Sequence, residues 1–211
     1  MTHVLYWSGR AGSLAPLCLL IEGGVPHETV QVDTSRRAHK TADYLRDVHP
    51  LGTVPALRLP DGQVILESGA MVLHLAELAP SLAPAAGSAD RAMFLNWVAY
   101  GAGSLYPAYQ RVYHTDHIVP DEAGRPAARE AAVVALDRCW DVVEAALEAG
   151  RPGLFGDRPG AADVYLAMLA LWHPAPERLA AACPKVRAMK DAVWALPSMR
   201  QALAVHGLET A

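Results

Sequence analysis

The N-terminal part of the chain alternates short apolar runs with polar breaks. Val4-Leu5-Tyr6-Trp7 is an apolar run of strand length. Ser8-Gly9-Arg10-Ala11-Gly12 reads as a loop, and Ser13 stands where a helix N-cap belongs. Leu14, Leu17, Cys18 and Ile21 then keep helical spacing, and Gly23-Gly24 closes the helix. Pro16 fits its first turn, where N–H groups have no intrahelical partner. Glu28 to Asp33 alternates and reads as a second strand. A short β-α-β crossover predicts a parallel pair.

Residues 34–48 are polar and read as a solvated helix and loop, with a short helix around Asp43-Tyr44-Leu45. From His49 to Met71 several local rules agree. Two apolar runs, Ala56 to Leu59 and Val64 to Leu66, flank Pro60-Asp61-Gly62, which is turn chemistry, so the pattern predicts a hairpin. Glu67 and Ser68 precede the helical run Ala70-Met71-Val72-Leu73. Ser68 in that place can cap the helix, and the orphan N–H groups there can hold a ligand carboxylate.

Residues 81–87 have linker composition. After them the apolar positions keep helical spacing throughout. One long helix carries Met93, Leu95, Trp97, Val98 and Leu105, with Pro107 expected to kink or interrupt it. Thr115 to Gly124 reads as a loop. Further helices follow: Pro126 to Leu147, Gly160 to Trp172, Pro184 to Pro197, and a short one after Pro197. No strand pattern survives beyond residue 70. The expected plan is an α/β domain over residues 1–80, a linker over 81–87, and an all-helical domain over 88–211.

Bulk properties narrow the function classes. With 52% hydrophobic and 19% charged residues, the 211-residue chain can build a large core. A net charge of −4 and no Lys/Arg block give no footprint for nucleic acid. No apolar run reaches membrane-spanning length, and the first residues lack a signal-peptide plan. Three scattered cysteines, Cys18, Cys139 and Cys183, fit a reducing cytoplasm better than a disulfide framework. His114-x-x-His117 is a weak metal signal without acidic or thiol partners, so no metal is expected.

Several segments together resemble the cytosolic glutathione S-transferases, and among them the bacterial beta class. They are Leu5-Tyr6-Trp7-Ser8 with Ser13-Leu14-Ala15-Pro16, His49 through Leu57, Glu67-Ser68, Arg91 with Trp97, and Pro159 through Leu166. The resemblance implies a thioredoxin-like N-terminal domain, an all-α C-terminal domain, a homodimer and a cis Val54–Pro55 bond. It implies that glutathione is the co-substrate. The backbone of Val54, before Pro55, would pair with the cysteinyl amide. Ser68 would take the γ-glutamyl carboxylate, Glu67 would attract the ammonium, and Arg36 would face the glycine carboxylate.

The catalytic end departs from this pattern. Beta-class enzymes carry a cysteine just before Ser-Leu-Ala-Pro, and here that position is Gly12. Mixed-disulfide and reductase chemistry are therefore not expected at this position. Two hydroxyls remain as candidates to activate the thiol: Ser13, which also reads as a plain N-cap, and Tyr6, which also reads as a buried strand residue. Backbone N–H groups are the third possibility. Tyr106, Tyr109 and Tyr113 recur at helical spacing, and could line a second-substrate pocket or simply pack. The leading expectation is a transferase joining the glutathione thiolate to a small apolar electrophile. The alternatives are a catalytically weak glutathione-binding or interaction protein, and a glutathione-dependent isomerase or dehalogenase.

Overall fold

The computed structural model describes residues 2–208. Its contacts divide the chain into two compact units. One runs to Ser88 and takes up the chain again from Trp194, and the other is Ala89–Val193.

The first unit is built on a four-stranded sheet of order β2-β1-β3-β4. The strands are β1 (His3–Trp7), β2 (His27–Gln31), β3 (Ala56–Arg58) and β4 (Val64–Ile65). β1 and β2 are parallel, as the short crossover predicts, and β3 and β4 form the predicted antiparallel hairpin. Three helices follow the strands in this unit: α1 (Leu14–Glu22), α2 (Ala42–Asp47) and α3 (Ser68–Leu78).

Strand alternation sorts the core into two layers. Tyr6 and Ala56 pack with Val32, Tyr44 and Val48, on the side of the sheet that α2 covers. Trp7, one residue along β1, points the other way and meets His206. On that side α1 packs against α3 and against α10 (Pro197–Val205). The all-helical domain expected over 88–211 thus gives up its last helix, because α10 buries Met199, Ala202 and Leu203 within the first unit.

The second unit holds α4 (Ala89–Tyr100), α5 (Tyr106–Tyr113), α6 (Arg125–Ala146), α7 (Ala161–Leu171), α8 (Pro176–Ala182) and α9, which runs from Pro184 to its end at Trp194. α7 is its centre: every residue from Ala161 to Ala170 is buried, as suits a helix apolar on all sides. A π-helical stretch, Gly101–Leu105, joins α4 to α5 and stands where Pro107 was expected to interrupt the helix. A Cβ at Gly101 would lie 2.8 Å from the Tyr165 ring, so a glycine is needed for the two helices to approach. α8 lies between the helices expected at Gly160 to Trp172 and Pro184 to Pro197. Pro176 occupies its first turn, where proline is tolerated.

Asp163 is a structural residue. Its carboxylate accepts the Gly160 N–H at 2.8 Å and the Leu154 N–H at 2.9 Å, closing the start of α7, whose N-cap Gly160 has no side chain. Burial nevertheless pushes its pKa up to about 6. Among the described residues, no helix is long and apolar enough to cross a membrane.

Candidate functional site

The loop before β3 is braced from several directions. His49 is buried, and its Nδ1 accepts the Leu51 N–H at 3.2 Å. The ring proton then sits on Nε2, which donates to Thr53 Oγ1 at 2.8 Å. Burial is the main cause of the lowered His49 pKa, which keeps this tautomer neutral. The Tyr44 hydroxyl donates to the Thr53 carbonyl at 2.8 Å, and Lys40 Nζ donates to the Leu51 carbonyl at 2.9 Å. These ties lead directly into Val54–Pro55, whose peptide bond is cis, as the resemblance implied. The sequence pattern marks His49 only as the start of this stretch, and its role as a brace depends on contacts the pattern does not carry.

The start of α3 differs by one residue from the expectation. The N-cap is Glu67, with extended backbone (φ −100, ψ 127), and Ser68 is the first helical residue. Glu67 keeps its side chain out of any cap bond and exposed, while Ser68 is buried. The first helical bond runs from the Met71 N–H to the Glu67 carbonyl at 3.0 Å. First-turn N–H groups and an exposed carboxylate therefore adjoin at one helix end.

Arg36 lies on the surface with its side chain 88% exposed, and its Nε is 3.5 Å from Asp33 Oδ2. The Asp33 carboxylate also accepts the Ser35 hydroxyl and the Ser35 and Arg36 N–H groups, which lower its pKa. Arg36 is thus oriented by a loop turn while its charge stays solvated.

The two expected catalytic hydroxyls sit in unlike places. Tyr6 lies on the α2 side of β1, its ring edge-on to Tyr44 at 6.2 Å and covered by the Arg58 guanidinium at 5.1 Å. α1 packs on the other side of the sheet, so Tyr6 is a core residue facing away from the helix start. Ser13 is at that helix start but is wholly buried, with helical backbone (φ −78, ψ −14) and no cap bond. Its hydroxyl donates to the Ser8 carbonyl at 3.4 Å and lies 3.5 Å from His206 Nε2. An inward hydroxyl of this kind offers no open donor to a ligand. Cys18 is equally enclosed. It is fully buried, its Sγ contacts Ser198 Oγ at 3.6 Å, and burial pushes its pKa up to about 12, which leaves it inert.

In the second unit the three tyrosines converge on Trp172. Tyr106 is half-buried and meets the Trp172 ring edge-on at 5.2 Å. Tyr109 is buried, its hydroxyl accepts the Trp140 Nε1–H at 3.0 Å, and burial pushes its pKa far up. Tyr113 is exposed, but its hydroxyl donates to the Trp172 carbonyl. Tyr109 is therefore a packing residue rather than a pocket wall. Near the end of α5, the expectation that His114 and His117 lack an acidic partner is corrected. Asp116, between them in sequence, forms with them a group whose ligand atoms all lie within 4.8 Å of one another. All three residues are exposed.

Comparison with known proteins agrees with this arrangement. Residues 13–78 match the glutathione S-transferase N-terminal domain, and residues 126–188 match the C-terminal domain of the same family. Glutathione S-transferase 3 of Zea mays is 33% identical over 198 residues, covering 88% of this chain and 86% of that protein. A Sulfitobacter glutathione transferase homologue, solved with bound glutathione, superposes with a TM-score of 0.85 at 25% identity, over 98% of this chain and 99% of the other. The bacterial beta class glutathione S-transferase of Sphingomonas chungbukensis superposes with a TM-score of 0.79 at 27% identity, over 97% and 99%. With its thioredoxin-like sheet, cis-proline loop and helical second unit, the chain belongs to the glutathione S-transferase family.

Proposed function

We propose that the chain is a glutathione transferase, which joins the glutathione sulfur to a small apolar electrophile. The observation that carries this reading is the braced loop ending in cis Val54–Pro55, together with the α3 start at Glu67-Ser68. In this reading the Val54 backbone pairs with the cysteinyl amide. Ser68 and the first-turn N–H groups take the γ-glutamyl carboxylate, and Glu67 attracts the ammonium. Arg36 serves the glycine carboxylate at long range, as a solvated charge.

A thiol of pKa about 8.5 is mostly protonated at neutral pH. The buried Ser13 hydroxyl and the core position of Tyr6 leave the backbone N–H groups of Gly12 and Ser13, at the start of α1, as the proposed activating donors. They stabilise the sulfur after its proton leaves to solvent. The sulfur then forms a C–S bond as the leaving group departs with its electron pair. This step calls on no metal, so a chelator leaves turnover unchanged. A homodimer and a cytoplasmic location complete the reading.

A second reading is glutathione binding with little turnover. Gly12 at the family's cysteine position and the inward Ser13 hydroxyl favour it. Calorimetric titration with glutathione, followed by turnover with a chloronitrobenzene-type electrophile, separates the two. Binding with turnover supports the transferase, and binding without turnover supports the second reading. No heat at millimolar glutathione removes both.

A further inference from the structure

His206 caps the C-terminal end of α10 and is 6% exposed. It is fixed in place by its surroundings. Its N–H donates to the Ala202 carbonyl at 3.1 Å, and Gly207 follows in the left-handed region at φ +67, returning the Leu208 N–H to the Leu203 carbonyl at 2.9 Å. The ring lies 5.0 Å from the Trp7 ring, tilted by 37°. The His206 carbonyl closes over the turn after β1, at 3.5 Å from where a Cβ on Gly9 would stand.

The two ring nitrogens differ. Nδ1 is buried and has no hydrogen-bond partner. Nε2 lies 3.5 Å from Ser13 Oγ, a long contact of the kind that tightens when a ligand binds. Ser13 has one hydroxyl proton, and the Ser8 carbonyl at 3.4 Å takes it. Nε2 must then be the protonated nitrogen, donating to Ser13 Oγ, and Nδ1 keeps a bare lone pair. The opposite tautomer would bury an N–H without an acceptor, which costs more than an unpaired lone pair. A relay results, from His206 through the Ser13 hydroxyl to the Ser8 carbonyl. It spans the turn between β1 and α1, whose Arg10 is itself held left-handed at φ 57. Burial alone pushes the His206 pKa down to about 4, so the ring stays neutral and the direction of the relay is fixed.

We propose that His206 is a positioning residue for glutathione activation: through Ser13 it holds the Ser8-to-Ser13 turn so that the backbone N–H groups of Gly12 and Ser13, at the start of α1, face the glutathione sulfur. The inference rests on the glutathione reading above. It assigns to the end of the chain, well separated from the site in sequence, control over how readily the bound thiol ionises. It also turns Ser13 from a donor to sulfur into the middle member of the relay.

The test follows the ultraviolet thiolate band of bound glutathione against pH, alongside kcat and KM. His206→Leu keeps the bulk and removes the donor, while His206→Gln returns an amide N–H near the Nε2 position. His206→Leu is expected to raise the thiolate midpoint by about one pH unit and lower kcat about tenfold, with the KM for glutathione within a factor of about two. His206→Gln is expected to restore most of both. Ser13→Ala is expected to match His206→Leu, and the double variant to be no worse than either alone. An unchanged midpoint and kcat in His206→Leu, with only a lower melting temperature, overturns the proposal, as does a failure of His206→Gln to rescue. If His206→Leu does not fold, Ser13→Ala and His206→Gln carry the same readout. Wild-type protein that binds no glutathione would instead remove the functional reading on which this one stands.

Discussion

Gly52 meets the His39 carbonyl so closely that a Cβ on Gly52 would lie 2.4 Å from that oxygen. The same Gly52 holds φ +60, in the left-handed region. Two independent constraints thus fall on one residue of the cis-proline loop. Gly52→Ala is expected to cost about 1–2 kcal/mol for the backbone conformation alone. The clash adds to this, because the opposing atom is backbone and cannot swing away. Glutathione affinity should fall more steeply than stability, since the displaced loop carries Val54. Denaturant unfolding and glutathione calorimetry on the same variant check both. A variant with wild-type affinity would separate the loop from the ligand.

Legibility in the sequence followed the range of the forces involved. Strands, turns and most helices are set by local pattern, and they were readable: the β1–α1–β2 crossover, the 56–66 hairpin and the α6 and α7 helices all stand where apolar spacing put them. The family segments were legible too, because His49 to Leu57 and Glu67-Ser68 are contiguous motifs. What escaped were contacts made through space. Ser13 looks like a cap until α10 brings His206 to within 3.5 Å. Tyr109 looks like a pocket residue until Trp140 donates to its hydroxyl from α6. Tyr6 looks like an available hydroxyl until strand alternation turns it away from α1. The Glu67 cap was missed by one residue, because Ser68 is the better cap by side chain but Glu67 has the extended backbone that a cap needs.

Glu67 and Ser68 should separate binding from folding. Glu67 is exposed and makes no cap bond, so Glu67→Ala leaves the melting temperature close to wild type. A charge-assisted contact to the glutathione ammonium is worth about 1.5–3 kcal/mol, so affinity should drop by about tenfold or more. Ser68→Ala acts at a buried position, so both affinity and stability should fall. Calorimetry and thermal unfolding on the two variants read the difference. Equal losses of affinity and stability in Glu67→Ala would make it a structural residue.

His206 and Asp163 shift stability with pH in opposite directions. His206 is held down to about pKa 4 in the fold, against about 6.5 in the unfolded chain. Between these values the unfolded chain binds the proton and the fold does not. Stability is therefore full above about pH 6.5 and falls as acid is added, by up to about 3 kcal/mol at pH 4. Asp163, raised to about 6 from 3.8, binds its proton more readily in the fold, so acidification over that window stabilises the second unit. His3 and His49 are also lowered by burial and add to the acid loss of the first unit, so the wild type is expected to lose stability there as the pH falls from 6.5 to 4. His206→Gln removes the largest of these components and leaves those of His3 and His49, so its acid loss should be shallower than that of wild type. Asp163→Ala should unmask the His206 component as a steeper acid loss. It should also weaken the second unit at neutral pH by leaving the Gly160 and Leu154 N–H groups without their acceptor. Denaturant unfolding at several pH values, with probes for each unit, measures the slopes. A steeper acid loss in His206→Gln than in wild type would reverse the sign argued here.

Gly12 offers a direct probe of where the glutathione sulfur lies. The residue sits just before α1 and is not among those with positive φ, so its backbone accepts a side chain. A thiol introduced by Gly12→Cys stands at a helix N-terminus, where the thiolate is favoured. With oxidised glutathione, that thiolate attacks one sulfur of the disulfide and expels the other half as glutathione thiolate. The product is a mixed disulfide at position 12, reversible by dithiothreitol and distinguished by peptide mapping from any adduct at the half-buried Cys139. The wild type is expected to give no such adduct at Cys18 or Cys183, because both are buried and their thiols are pushed up to about 12 and about 11. Intact mass spectrometry reads the adduct, and glutathione should slow its formation by occupying the site. A Gly12→Cys variant that binds glutathione but forms no mixed disulfide would place the sulfur away from α1. The activating donors would then have to be sought elsewhere than at the Gly12–Ser13 start of that helix.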